Sequence, residues 1–190
     1  MVDEHTVADP GPLGLAGFAM TTFCLSSANA GLWKGAGVSA ALSLAFFYGG
    51  IAQLLAGMWE FLRKNTFGAL AFTSYGAFWL SLYALVYWQK AFGANGSTGI
   101  FLLGWTIFTI YMTIAANRTT GAILAVFVLL SITFIFLTIG NWGMVGAHAN
   151  MVKIGGYTGL ATAAAAWYAS AAGVINDTHK KVVFPVGPRG

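Results

Sequence analysis

The side chains able to do chemistry in this 190-residue chain are few and concentrated. Ser39, Ser43, Phe46, Gly50, Gln53, Gly57 and Glu60 recur at steps of three and four, a spacing that puts them on one face of a regular helix. Polar groups inside a bilayer are costly unless they face protein or a wet passage, so Gln53 and Glu60 are expected to point inward. Glu60 lies about one turn from Arg63 and Lys64. Two roles compete for it: a solvated ion pair at a pathway mouth, or gating and proton handling. A second cluster opens the first apolar run as Asp9-Pro10-Gly11-Pro12-Leu13-Gly14-Leu15. Asp9 reads as an N-cap with Pro10 at the first helical position, where its missing N–H costs nothing. The free N–H groups beyond it suit a small anion, against the plainer reading of a cap that sets the entry angle.

Enzymatic machinery is not expected. His5 and His179 lie in the tails and His148 in a connection, and no His, Cys and carboxylate set has metal-ligand spacing. No Ser/His/Asp set assembles, so catalytic residues, metal and cofactor are all expected to be absent. Cys24 is alone, which excludes an internal disulfide.

Composition sets the surroundings of these groups. Hydrophobic residues make up 58% of the chain and charged residues 7%, against roughly 25% charged in soluble domains. Mean hydropathy is +0.75 and the pI about 9.3. Nine scattered Lys and Arg form no phosphate-binding stripe, so nucleic acid is excluded as a partner and the lipid bilayer is the expected one. Met1–Pro10 carries Asp3, Glu4 and Asp9 without a cation, unlike a cleavable signal peptide.

A helix needs about 20 apolar residues to cross a core roughly 30 Å thick. Six stretches meet that length, at about 13–31, 36–62, 67–89, 98–117, 121–140 and 153–175. β-barrel alternation is missing, which leaves helices as the spanning elements. The expected fold is all-α: a single domain over 1–190, a six-transmembrane-helix bundle passing repeatedly through the cytoplasmic membrane. With the N-terminus inside, Arg63, Lys64, Arg118, Lys180, Lys181 and Arg189 face the cytoplasm, and Lys34, Lys90 and Lys153 face the other side. Both termini are therefore expected to be cytoplasmic. Small residues at Gly14, Gly17, Thr21, Cys24, Ala28 and Gly31, and at Gly156, Gly159, Ala163, Ala166, Ser170 and Gly173, mark packing seams.

Several blocks resemble the acetate uptake transporter family. Its signature Asn-Pro-Ala-Pro-Leu-Gly-Leu corresponds to residues 9–15, followed by Gly17-Phe18-Ala19-Met20-Thr21-Thr22. Phe47-Tyr48-Gly49-Gly50-Ile51-Ala52-Gln53, Asn65-Thr66-Phe67-Gly68, Thr73-Ser74-Tyr75-Gly76-Ala77-Phe78-Trp79 and Ile139-Gly140-Asn141 follow in the same order. The resemblance implies a homo-oligomer, a hexamer, with a separate path in each protomer for acetate and related short carboxylates. It also implies an aromatic–aliphatic constriction at Phe18, Tyr75 and Leu130. Leu130 follows from counting back from Ile139-Gly140-Asn141; counting from the preceding apolar run gives Ile132. The chain departs from the signature at Asp9, where the family has Asn.

A carboxylate stripped of water needs replacement partners. Thr21, Gln53 and Asn141 are the expected donors along the path, and the positive edges of Phe18 and Tyr75 the expected lining of its waist. A co-transported proton would neutralise the substrate, giving a proton-linked carrier instead of an anion channel. Two alternatives stand beside this one: a channel for a neutral solute such as urea, an amide or ammonia, and a structural oligomeric membrane protein.

Overall fold

A computed structural model describes residues 7–33, 36–92, 98–142 and 148–188. The sequence positions Asp3, Glu4, His5, Lys34 and Arg189 lie outside them, as does the side chain of Lys90. Among the described residues the chain forms six helical rods. These are α1 (Gly11–Asn29), α2 (Ala36–Phe46, continuing through Phe47–Ala52 into Gln53–Leu62), α3 (Thr66–Phe92), α4 (Thr98–Ala116), α5 (Gly121–Asn141) and α6 (Ala149–His179). Consecutive rods are neighbours, and α6 returns to pack along α1, so the six close into a ring.

Val38–Leu62, Thr66–Trp88, Thr98–Ala116, Gly121–Asn141 and Ala149–His179 are long and apolar enough to cross a membrane by length and composition. α1 is the sixth rod, of 19 residues. Its Gly14, Gly17, Thr21, Thr22, Ser26 and Ser27 are buried against neighbouring helices, where protein takes the place of lipid. α6 also runs further than 153–175 at both ends, to a left-handed cap at Lys180 with φ 52°.

Small residues close most of the ring. A Cβ on Gly156 would sit 2.3 Å from the Ala30 backbone nitrogen, and one on Gly159 2.2 Å from Ser26 Oγ, so α1 and α6 touch almost backbone to backbone. Near the other end of this seam Ser170 Oγ donates to the Pro12 carbonyl at 2.7 Å. The α3–α4 seam is built differently. Phe78 stacks on Phe101 with ring centroids 5.6 Å apart and meets Trp105 edge-on at 5.1 Å. Large rings hold these two backbones apart. Hydroxyl pairs pin the helices beyond: Thr106 to Thr138 at 2.8 Å and Thr113 to Ser131 at 2.8 Å join α4 to α5, and Thr133 to Thr158 at 3.1 Å joins α5 to α6.

The middle of α2 is π-helical over Phe47–Ala52. A π-turn inserts an extra residue and shifts the helical phase, which splits the stripe expected on one face. Gly50, Gln53, Gly57 and Glu60 are buried, whereas Ser39, Ser43 and Phe46 are exposed. Ser43 Oγ donates instead to the carbonyl of Ser39 at 3.1 Å. The π-turn also fits α2 to α1: a Cβ on Gly49 would meet Thr21 Oγ1 at 2.4 Å, and one on Gly17 would meet the Tyr48 carbonyl at 2.6 Å.

Candidate functional site

The α2–α3 connection shows how sequence places the first functional group. Asn65 Oδ1 accepts from Gly68 N at 3.1 Å, capping α3. Its amide nitrogen reaches back to Glu60 Oε2 at 2.9 Å. A Cβ on Gly68 would lie 2.8 Å from the Glu60 carboxyl carbon, so glycine there leaves room for the carboxylate. Glu60 is 2% exposed, with Arg63 4.0 Å away. Arg63 Nη1 in turn pairs with Asp9 Oδ1. That same Asp9 oxygen accepts from Gly11 N at 2.9 Å.

These groups line one end of a cavity of about 430 Å³. Asp9, Arg63, Asn65, Thr119, Thr120, Asn176 and Val186 come from helix ends and tails; Phe18, Gln53, Tyr75, Phe127 and Leu130 come from mid-helix. Phe18 is seven residues into α1 from Gly11, a depth of about 10 Å at 1.5 Å per residue. The cavity thus runs from charged groups at the helix ends to aromatic side chains deeper in the bundle.

Phe18, Tyr75 and Leu130 are brought together there, each 5% exposed or less. The Phe18 and Tyr75 ring centroids are 5.8 Å apart. Tyr75 is fixed from behind: its hydroxyl bonds Thr109 Oγ1 at 2.8 Å, Phe108 meets it edge-on at 5.3 Å, and Phe127 lies at 6.1 Å. Ile132 is 37% exposed and lines no part of the cavity; of the two sequence counts, the one giving Leu130 lands on the cavity wall.

Of the three polar path candidates, Gln53 alone lines this cavity. It is 1% exposed, and its Oε1 has no partner among the described residues. Thr21 donates to the Gly17 carbonyl at 2.8 Å and packs at the α1–α2 crossing. Asn141 sits at the opposite end of the bundle, donating to the Leu137 carbonyl at 2.8 Å. A hydroxyl or amide on a helix can satisfy itself on the carbonyl of the preceding turn, and here both do.

The helix-1 motif also resolves by residue. The helix is capped at Pro10, one position later than the Asp9 cap expected, and without a side-chain cap bond. Asp9 takes the Gly11 N–H, so the anion expected at this helix start is the chain's own carboxylate. Pro12 lines the cavity, Gly14 lies against Phe72, and Leu13 is 45% exposed. His148 and His179 stand at the two ends of α6, and no group of three or more metal-ligating side chains exists among the described residues.

Two residues of the site escaped the sequence reading. For Asn65 a signal existed, since Asn directly before a helix is a favoured N-cap. Asn176 was not. Its Oδ1 accepts from Val183 N and Phe184 N at 2.7 and 2.9 Å, and its Nδ2 donates to the Phe184 carbonyl at 2.8 Å. The tail so folded places the carbonyls of Val186 and Gly187 on Ala122 N and Gly121 N at the start of α5.

Comparison with known families matches residues 1–188 to the GPR1/FUN34/yaaH family. The chain belongs to that family. It is 39% identical over 202 residues to acetate permease A of Emericella nidulans, covering 97% of this chain and 67% of that protein. It is 37% identical over 185 residues to the succinate-acetate/proton symporter SatP of Escherichia coli strain K12, covering 95% and 96%. Among solved structures, that of the bacterial acetate channel SatP superposes with a TM-score of 0.88 at 36% identity, covering 96% of this chain and all of that one. The chain thus spans about two thirds of the fungal relative and nearly the whole of the bacterial ones. This is a multi-pass membrane protein with the SatP fold.

Proposed function

We propose that each protomer carries acetate and related short monocarboxylates across the cytoplasmic membrane, through the cavity and past Phe18, Tyr75 and Leu130. One observation carries this reading: a cavity whose lining runs from Arg63 at the helix ends to the rings of Phe18 and Tyr75 and one amide, Gln53. A carboxylate arriving there exchanges water for the guanidinium and then for the positive ring edges of Phe18 and Tyr75, while the unpartnered Gln53 Oε1 accepts the hydroxyl hydrogen of the protonated acid. The width of the aromatic floor selects by size. Glu60, held by Asn65 beside the mouth, is the group assigned to proton handling, which would let the acid cross neutral. The names of the bacterial relatives, acetate channel and succinate-acetate/proton symporter, support the substrate class and the proton link alike. A hexamer with cytoplasmic termini, and transport without catalysis, belong to the same proposal.

Radiolabelled acetate flux into proteoliposomes, with and without an imposed pH gradient, tests it. Protein-free vesicles supply the correction for acetic acid diffusing through lipid. Flux above that background, accelerated by an inward proton gradient, is expected. Vesicles no leakier than the controls would end the proposal.

A further inference from the structure

We infer that the tail from Val182 to Pro188 is a strap latched across the α5–α6 side of the charged end of the cavity, and that it must unlatch for a solute to enter. This deepens the transport reading above and rests on it. The sharp stop of α6 at its left-handed Lys180 cap lets the chain turn back on itself, and the Asn176 clamp holds the returning backbone at Val183 and Phe184. Further along, the Pro185 carbonyl accepts from the Tyr168 hydroxyl at 2.7 Å, and Phe184 meets the Tyr168 ring edge-on at 5.9 Å. The strap therefore runs beside the last turns of α6 before it crosses to α5.

The crossing ends on the start of α5. The first N–H groups of a helix have no partner within it. Thr120 Oγ1 takes one of them, from Ile123 N at 3.2 Å. The strap takes two more: Gly121 N donates to the Gly187 carbonyl at 2.6 Å and Ala122 N to the Val186 carbonyl at 3.0 Å. Gly187 has φ 63°, a backbone conformation that favours glycine, and Thr120 and Pro188 pair as an antiparallel bridge. Pro185 and Pro188 have no N–H of their own, so the strap leaves no donor unmade at either position.

Val186 is where the strap meets the cavity. It is half-buried and lines the wall with Thr120 and Ile123 of the α5 start and Asn176 of α6. The rest of the strap is exposed, Val182, Val183 and Phe184 included. Polar bonds at the surface hold it, with little apolar burial behind them. Water can replace such bonds at small net cost, and segments held this way are the ones that open locally. Once the strap lets go, water takes the two α5 amides and Val186 leaves the wall. The end that carries Arg63 then widens without any helix moving.

A disulfide across the Thr120–Pro188 bridge tests the latch. Opposed residues of an antiparallel pair have Cα atoms about 4.5–5.5 Å apart, within the span of a disulfide. Thr120→Cys/Pro188→Cys is made in the full chain with Cys24→Ser, because Cys24 is the one native thiol. Labelled acetate uptake into proteoliposomes is then measured on the same preparation, oxidised and after reduction. Oxidation is expected to slow uptake at least about tenfold, and reduction to restore it. Tyr168→Phe keeps the ring and loses the bond to Pro185; one hydrogen bond fewer on the latch predicts uptake about threefold faster than wild type. Equal uptake in the two redox states, with the disulfide shown complete by thiol titration, would overturn the gate and leave the pathway standing. Tyr168→Phe uptake at or below the wild-type rate, in protein that melts normally, would do the same. A wild type that moves no acetate would overturn gate and transport reading together.

Discussion

Replacing Leu130 with alanine tests the floor of the cavity most directly. Leu130 is 4% exposed on α5, and it shares the cavity wall with Phe18, Gln53 and Tyr75. Leu→Ala in a packed core costs about 2–5 kcal/mol, depending on how far the site collapses. One side of Leu130 already faces open volume and lipid gives no hydrophobic drive, so the low end, about 2 kcal/mol, is expected from the melting temperature in detergent. The functional effect is larger. A single methylene in an apolar pocket changes discrimination by about 10- to 200-fold, and this truncation removes the whole branch beyond Cβ. Butyrate flux relative to acetate flux, from parallel labelled uptake into proteoliposomes, is expected to rise at least about tenfold. A flux ratio within twofold of wild type, in protein that melts normally, would refute a size filter at Leu130.

Three further outcomes follow from the packing and the charges. Gly156→Ala drives a Cβ to within 2.3 Å of the Ala30 backbone nitrogen and is expected to destabilise by about 1–3 kcal/mol; Gly104→Ala meets nothing within 4 Å and should stabilise α4 by about 0.5–1 kcal/mol, the contrast being read from paired melting curves. Asn176→Ala removes the three hydrogen bonds that fold the tail, and limited trypsin digestion is expected to cut at Lys180 and Lys181 markedly faster than in wild type. Asp9→Asn leaves stability within about 1 kcal/mol, because the Arg63 pair is half-exposed. It does release the guanidinium toward the mouth, so acetate KM should fall at low ionic strength, and the gain should vanish in high salt.

How much of this was readable from the sequence depended on whether helical phase survived. The small-residue runs of α1 and α6 were legible as seams because Gly156, Gly159 and Ser170 keep their spacing along unbroken helices. Gln53 and Glu60 were legible as inward-facing because a polar side chain inside a bilayer must face protein or water. Ser39 and Ser43 were misplaced because nothing in Phe47–Ala52 announces an extra residue per turn, and the Gly49-Gly50 pair there reads equally as a crossing point. Thr21 and Asn141 carry the right chemistry for a path, but a side chain's choice between the preceding turn and a neighbouring helix depends on tertiary position, which spacing does not encode. Phe18, Tyr75 and Leu130 came together only through resemblance, since in a chain with 15% aromatic residues no single ring stands out. The Asn176 clamp was invisible because its partners lie in a tail with no periodicity.

The closure of α6 against α1 has a topological corollary. The first and last helices run antiparallel, with Pro12 beside Gly173, so α6 ends beside the start of α1. Covalently joining residues 9 and 188 by a short flexible linker and reopening the polypeptide between α3 and α4 would keep every helix-to-helix neighbour. Such a circular permutant should still assemble the same barrel of helices. The order in which the spans enter the bilayer is then separable from the shape they finally make.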